Sequence, residues 1–193
     1  MVTGGPGAGK TALLELVRGH FCAHVTVLPE SASIVFGGGF PRRATDLGRR
    51  AGQRAILHVQ REMEGLVKAE QRTALVLCDR GTLDGVAYWP GPSNQLLEAI
   101  GSTREAELSR YAAVLHLRTP PPSSYNHRNP LRIESAAEAA AIDERIADAW
   151  RGHPRLHRVD HAPRFLQKVA RALELIRQEI PSCCRGPQIS ELP

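Results

Sequence analysis

The chain has 193 residues, of which 42% are hydrophobic, and a formal net charge of +5. That length and apolar content suffice for one sizeable core, so a single domain is expected. No uninterrupted apolar run approaches the length of a membrane helix, and aromatic residues, at 5%, do not interleave with basic runs, which argues against both a membrane span and a stacking surface for nucleic acid.

Taken in chain order, "MVT" reads as a short strand, and "TALLELVRGHF" as a helix with Leu13, Leu14, Val17 and Phe21 at helical spacing. "HVTVLP" is a strand. "SASIVFGGGFPRR" is glycine-rich and read as a loop anchored by Ile34, Val35 and Phe36, with Gly37, Gly38 and Gly39 as a flexible stretch. Leu47, Ala51, Ala55, Ile56, Val59, Met63 and Val67 set out a long helix from Asp46 to Glu70. "TALVLCD" is a continuous apolar run, the mark of a buried parallel strand. "TLDGVAYW" opens a further helix, and "PSNQLLEAIGSTREAELSRY" gives two short helices broken at Gly101. "AAVLHLRTP" is a strand and "PPSSYNHRNP" a loop. "SAAEAAAIDERIADAW" is a helix in which Ser135 and Glu138 have capping-box spacing. "RLHRVD" is a short strand, "RFLQKVARALELIRQEI" a helix, and residues 181–193 a loose tail after a domain covering residues 1–180. Strands alternating with helices call for an α/β fold: a parallel sheet covered on both faces by helices, in three layers.

Gly4-x-x-x-x-Gly9-Lys10-Thr11 is the P-loop pattern, set between a strand and a helix. Its glycines let successive N–H groups of Gly4, Gly5, Gly7, Ala8, Gly9 and Lys10 turn toward an anion around Pro6, and the helix through Thr11 and Ala12 adds its N-terminal dipole. Lys10 is the residue to reach the β- and γ-phosphates of a nucleotide, ATP or GTP, and the Thr11 hydroxyl is a Mg²⁺ ligand. Asp79 closes a buried strand and is the expected partner of Thr11 on the metal; Arg80 beside it either touches phosphate or braces Asp79. Glu30 follows the second strand, at the carboxyl ends where ligands gather in open parallel sheets, and is a candidate general base. Arg128 and Arg132, near His127 and followed by Arg145, suit a lid that closes over the transferring phosphate. Asp143 and Glu144 are read as a solvated helix face, and Trp89 and Trp150 as packing anchors.

Only Met1, Val2 and Thr3 precede Gly4, so either the first strand is clipped or the natural start lies upstream. No secretory leader precedes the glycine stretch, and a reducing cytoplasm is the expected compartment. The four cysteines are Cys22, Cys78, Cys183 and Cys184; none stands in C-x-x-C spacing, which argues against a zinc site and a thioredoxin-like motif. Lysine occurs only at Lys10, Lys68 and Lys168, so the basic surface is almost wholly arginine.

"TGGPGAGKT", "PES", "CDRGTLDGVAYW", "NPLRIES" with "EAAAIDERIADAW", and "HPRLHRVD" together resemble the small AAA-type ATPase domain family that includes the nicotinamide riboside kinase domain of NadR and the TRPL translocation defect protein. The resemblance runs to about Ile180. It implies a P-loop kinase-like fold with a five-stranded parallel sheet and an arginine-bearing lid, and ATP or GTP with Mg²⁺. It implies that Gly4 to Thr11 bind phosphate, that Thr11 and Asp79 serve the metal, and that Arg128 and Arg132 belong to the lid. Asp84 and Tyr88 match the family segment and line the acceptor side, or serve as a cap and a packing residue. The loop from Asp160 to Pro163 matches the region that holds the nucleotide base.

The leading expectation is therefore a Mg²⁺-dependent kinase that moves a γ-phosphate to a small-molecule hydroxyl, with Glu30 or Asp79 as the base. The alternative is a nucleotide-dependent switch that acts through a protein or lipid partner; no Asn-Lys-x-Asp guanine signature supports a conventional GTPase. An AAA motor is a weaker expectation, because no segment after the last helix reads as a second helical domain. No residue pattern names the acceptor or the oligomeric state.

Overall fold

The computed structural model describes residues 1–121, 135–162 and 164–184. In chain order these form β1 (Val2–Thr3), α1 (Lys10–His20), β2 (Val25–Leu28), α2 (Ser31–Gly37), α3 (Asp46–Glu70), β3 (Leu75–Cys78), a 3₁₀ helix (Thr82–Tyr88), α4 (Asn94–Ala99) and α5 (Arg104–Leu108). β4 (Val114–Leu117), α6 (Ala136–Ala149), β5 (Leu156–Val159), α7 (Phe165–Gln178) and a closing 3₁₀ turn (Ser182–Cys184) complete them.

Strand alternation divides the core. Leu77 of β3 and Leu115 and Leu117 of β4 face one side, where they meet Leu13, Leu14 and Val17 of α1 and Val169, Leu173 and Ile176 of α7. Cys78 and Val114 face the other side, against Leu83 and Tyr111, Ile142 and Ile146 of α6, and Trp150 at the C-cap of α6. Both faces of the strand layer are therefore covered, which is why β4 is buried along its whole length.

The five strands do not make the continuous five-stranded sheet that the resemblance implied. All pairs are parallel, but they form two ladders, β1-β4-β5 and β2-β3. A single bridge joins them, between Val2 and Asp79. The cause is the length of β1. Its two residues pair with Leu115 and His116 on one side, leaving only the Arg80 N–H bond to the Val2 carbonyl, 2.9 Å, to hold the other.

Two further expectations change. The segment read as a loop from Ser31 begins as a helix, α2, because Ser31 and Val35 bury against α3 and the Ser31 hydroxyl reaches Gln60. The segment read as an opening helix at Thr82 is a 3₁₀ helix. Close-spaced anchors hold it: the Thr82 N–H on the Tyr111 hydroxyl at 2.9 Å and Arg145 Nε on the Ala87 carbonyl at 2.8 Å. The capping box at Ser135 and Glu138 is present, and α4 and α5 separate around Gly101 as the sequence predicts. The expected loose tail from residue 181 starts instead with a 3₁₀ turn whose Cys184 is buried in the α1/α7 core; residues 185–193 lie outside the described residues.

Candidate functional site

The loop from Gly4 to Gly9 carries the chain from β1 into α1, with positive φ at Gly4 (140°), Gly7 (75°) and Gly9 (92°). At Gly4 the requirement is also steric, since a Cβ there would sit 2.1 Å from the Leu117 carbonyl oxygen of β4. The glycine lets the loop cross the end of its neighbouring strand.

Side chains from three other elements hold the loop from behind. The Gly5 N–H donates to Asp143 Oδ1 of α6 at 2.8 Å. Thr119, just past β4, donates its hydroxyl to the Pro6 carbonyl at 3.1 Å. Lys168 of α7 donates to the Ala8 carbonyl at 2.8 Å and the Arg118 carbonyl at 2.6 Å. Asp143 also meets His116 Nε2 at 2.9 Å and Arg118 Nε at 3.1 Å. Burial opposes its ionisation, but those donors together hold the carboxyl below its usual range.

On the front, Lys10 is buried and donates to the carbonyls of Gly4 (2.8 Å) and Gly5 (3.2 Å). Burial, aided by the nearby Arg80 cation, brings its pKa down to about 8. Thr11 and Ala12 are exposed at the first turn of α1. Asp79 closes β3 with its N–H on the Leu28 carbonyl at 3.0 Å. Its Oδ1 is buried and, among the described residues, has no hydrogen-bond donor. Burial pushes its carboxyl up, and the Lys10 cation opposes that.

Arg80 occupies the left-handed region (φ 71°), uncommon for a residue with a Cβ. That backbone aims its guanidinium at Glu30 Oε1 (2.5 Å) and Asp84 Oδ2 (3.2 Å), over the ring of Tyr88. Arg80 thus braces Glu30 and Asp84 rather than Asp79. Burial works against the Glu30 carboxylate, yet Arg80 and the Ser33 hydroxyl (2.9 Å) hold it below its ordinary range. Asp84 accepts from the Thr3 hydroxyl and from Trp150 Nε1 at 2.6 Å, and so ties β1 to the C-cap of α6. These contacts hold β1, Arg80 and Trp150 together at the edge of the cleft.

These residues share one cleft of about 720 Å³ that runs from Pro6–Ala12 past Glu30, Asp79, Arg80 and Asp84 to Phe36, Gln53, Ile56, Leu57 and Tyr88. The structure therefore brings Lys10, Thr11, Glu30 and Asp79 together. Arg128, Arg132, His127 and Pro163 lie outside the described residues, and with them the expected lid. Arg145 does not face the cleft loop but ties α6 to the 3₁₀ helix. Asp160 and His161 are exposed beyond β5.

The family model describing an AAA domain matches residues 1–162. The chain belongs to that AAA-domain family. It is a nucleotide-binding P-loop protein of α/β fold. No curated protein matches the chain. Among the described residues no helix of this AAA domain is long and apolar enough to cross a membrane.

Sequence reasoning missed the residues behind the loop. Asp143 is not on a solvated face: it is 1% exposed, whereas Glu144 beside it does reach solvent and pairs with Arg118. A signal was present. Asp143 shares the stripe of Ala139, Ile142, Ile146 and Ala147, so a carboxylate stood on an apolar face. Lys168 likewise falls on the stripe of Val169, Ala172, Leu173 and Ile176. His116 interrupts an otherwise apolar strand. Each is a charged or polar group at a core position, and such groups need partners.

Proposed function

We propose that this AAA domain is a kinase that transfers the γ-phosphate of ATP, or of GTP, to a hydroxyl of a small molecule. One observation carries the reading: the cleft does not stop at the phosphate loop. Beyond Lys10 it continues to a carboxylate, Glu30, and to Phe36, Gln53, Ile56, Leu57 and Tyr88, side chains that a triphosphate does not require. That second compartment suits an acceptor.

In this reading the loop amides from Gly4 to Gly9 and Lys10 hold the β- and γ-phosphates. Lys10 exchanges its contacts with the Gly4 and Gly5 carbonyls for phosphate oxygens. Thr11 and Asp79 would hold Mg²⁺, and the donor set fits: a hydroxyl at the helix start and a buried carboxylate oxygen without a donor. The ion supplies charge neutralisation on the phosphate oxygens. Glu30 takes a hydrogen bond from the acceptor hydroxyl, orients its oxygen in line with the γ-phosphorus, and receives the proton as the new O–P bond forms, while the bond from the γ-phosphorus to the bridging oxygen breaks and the nucleoside diphosphate leaves. A carboxylate kept ionised by Arg80 suits a loose transition state, in which the proton leaves late. Arg128 and Arg132 are proposed to close over the site. The bulk of the rate then comes from positioning and charge stabilisation.

The test is nucleotide turnover with Mg²⁺ against a panel of nucleosides, ribosides and other small hydroxyl compounds, with Lys10→Ala in parallel. The reading expects one acceptor to accelerate nucleotide consumption and to yield a phosphorylated product that Lys10→Ala cannot make. Tight nucleotide binding with slow hydrolysis that no acceptor changes would instead support a switch acting through a protein or lipid partner.

A further inference from the structure

At the opposite end of the strands from the nucleotide cleft, three soft donors from distant parts of the chain meet. Cys22 and His24 stand in the turn between α1 and β2. Cys184 comes from the closing 3₁₀ turn after α7. Cys22 Sγ lies 3.6 Å from His24 Nδ1. Cys184 Sγ lies 3.7 Å from the same nitrogen, across a separation of 160 residues. All three ligand atoms fall within 4.8 Å of one another.

We propose that Cys22, His24 and Cys184 form a zinc site that ties the C-terminal end of the chain to the start of β2. Three arguments support it. The first is spacing. With Zn–S near 2.3 Å and Zn–N near 2.0–2.1 Å at tetrahedral angles, a bound sulfur and nitrogen stand about 3.6 Å apart. Both observed S···N separations have that value within about 0.2 Å.

The second argument is donor chemistry. Both thiol sulfurs approach the same imidazole nitrogen, so the three donor atoms converge on one point. A cation among the three serves all of them at once. Two thiolates and an imidazole are a set that favours zinc over magnesium or calcium.

The third is that the backbone already fixes the ligands. The Cys22 carbonyl accepts from the Val25 N–H at 3.0 Å, the His24 carbonyl from Ala74 and Leu75 N–H at 2.8 and 3.2 Å, and the Cys184 N–H donates to the Pro181 carbonyl at 2.9 Å. Cys184 is buried, Cys22 half-buried and His24 exposed, which leaves an entry path for the ion and a fourth position for water or another donor. The spacing of cysteines in the sequence could not show the site, because its ligands combine a Cys-x-His pair with a thiol at the far end of the chain.

The experiment uses the full chain, stripped of metal and kept under a non-chelating reductant, and titrated with Co²⁺ and then Zn²⁺. The expected result is one Co²⁺ per chain, with thiolate-to-metal charge transfer and tetrahedral d–d bands that Zn²⁺ displaces, and a higher melting temperature with zinc. Cys22→Ser and Cys184→Ala, each shown to be folded by circular dichroism, should each weaken metal binding by at least about 100-fold, since loss of an outer-shell partner alone costs 10–100-fold. Cys78→Ala should leave binding unchanged, because burial pushes the Cys78 thiol up to about 12 and keeps it protonated. The proposal is overturned if the reduced wild-type chain takes up no stoichiometric metal, or if both variants bind as tightly as wild type. It is equally overturned if the untreated protein carries a Cys22–Cys184 disulfide and no metal.

Discussion

At the scale of the residue, the site is defined by two cations and two carboxylates that share one cleft yet differ in charge. Lys10 has a pKa of about 8 before ligand arrives, because burial and Arg80 disfavour its charge. A phosphate anion favours the protonated form, so the bound lysine titrates higher. Between those two values, binding must take up a proton. Nucleotide affinity should therefore be flat with respect to this group below about pH 7 and fall as pH rises past about 8, by up to roughly tenfold per unit. Calorimetric titration in two buffers of different ionisation enthalpy would show the proton uptake; affinity constant from about pH 7 to 9.5 would mean that Lys10 does not change its charge on binding. Glu30 has the opposite tuning, held ionised by Arg80. Glu30→Gln keeps the shape and, on the proposed kinase reading, removes the proton acceptor. Phosphoryl transfer should drop by about 10²–10⁴-fold, while the nucleotide dissociation constant stays within about twofold of wild type. Turnover at the wild-type rate would remove Glu30 from the role of base.

At the scale of the element, the turn from β1 to α1 leaves no tolerance. Gly4→Ala places a methyl 2.1 Å from a backbone carbonyl oxygen that no rotamer can move, on a backbone with φ of 140°. That variant should lose both fold stability and nucleotide binding. Gly65 is the counter-case. It sits inside α3, is exposed, and a Cβ there meets nothing within 4 Å. Gly65→Ala should raise the unfolding free energy by about 0.5–1 kcal/mol, read as a higher urea midpoint at unchanged slope. The same elements show what a sequence can express. The P-loop was legible because glycine, lysine and threonine at fixed spacing have few other uses. α3, α6 and α7 were legible because their apolar periodicity extends over several turns. α2 was not, since its seven residues run into Gly37–Gly39 and local composition suggested a loop; burial of Ser31 and Val35 against α3 decided for helix. The shortness of β1 was legible from the three residues before Gly4, but the split into two ladders was not, because it depends on which neighbours a two-residue β1 reaches. Arg80 could be placed beside the site from "CDRG", but its choice of Glu30 and Asp84 over Asp79 depends on a left-handed backbone that the sequence does not announce.

At the scale of the whole molecule, the phosphate loop is the place where the layers meet. Gly4 crosses the end of β4, Gly5 hangs from α6 through Asp143, and Ala8 hangs from α7 through Lys168. α6 and α7 cover opposite faces of the strands. Asp143 is the central tie, since one carboxylate serves Gly5, His116 and Arg118. Asp143→Ala removes the acceptor and leaves those donors buried or half-buried without it. The loss of a buried partner of this kind costs about 3–5 kcal/mol, which approaches the entire stability of a marginal domain. Nucleotide should act in the other direction. Bound at about 100 times its dissociation constant, it stabilises the folded chain by about 2.7 kcal/mol, and in this fold the gain should reach both helical layers. Amide exchange measured with and without Mg²⁺ and nucleotide should slow in α6 and α7 as well as in the loop itself. In Asp143→Ala, examined at a temperature where it remains folded, the slowing should persist in α7, which Lys168 still ties to Ala8, and should vanish from α6. Equal protection of both helices in that variant would mean that the coupling between nucleotide and fold does not pass through the Asp143 carboxylate.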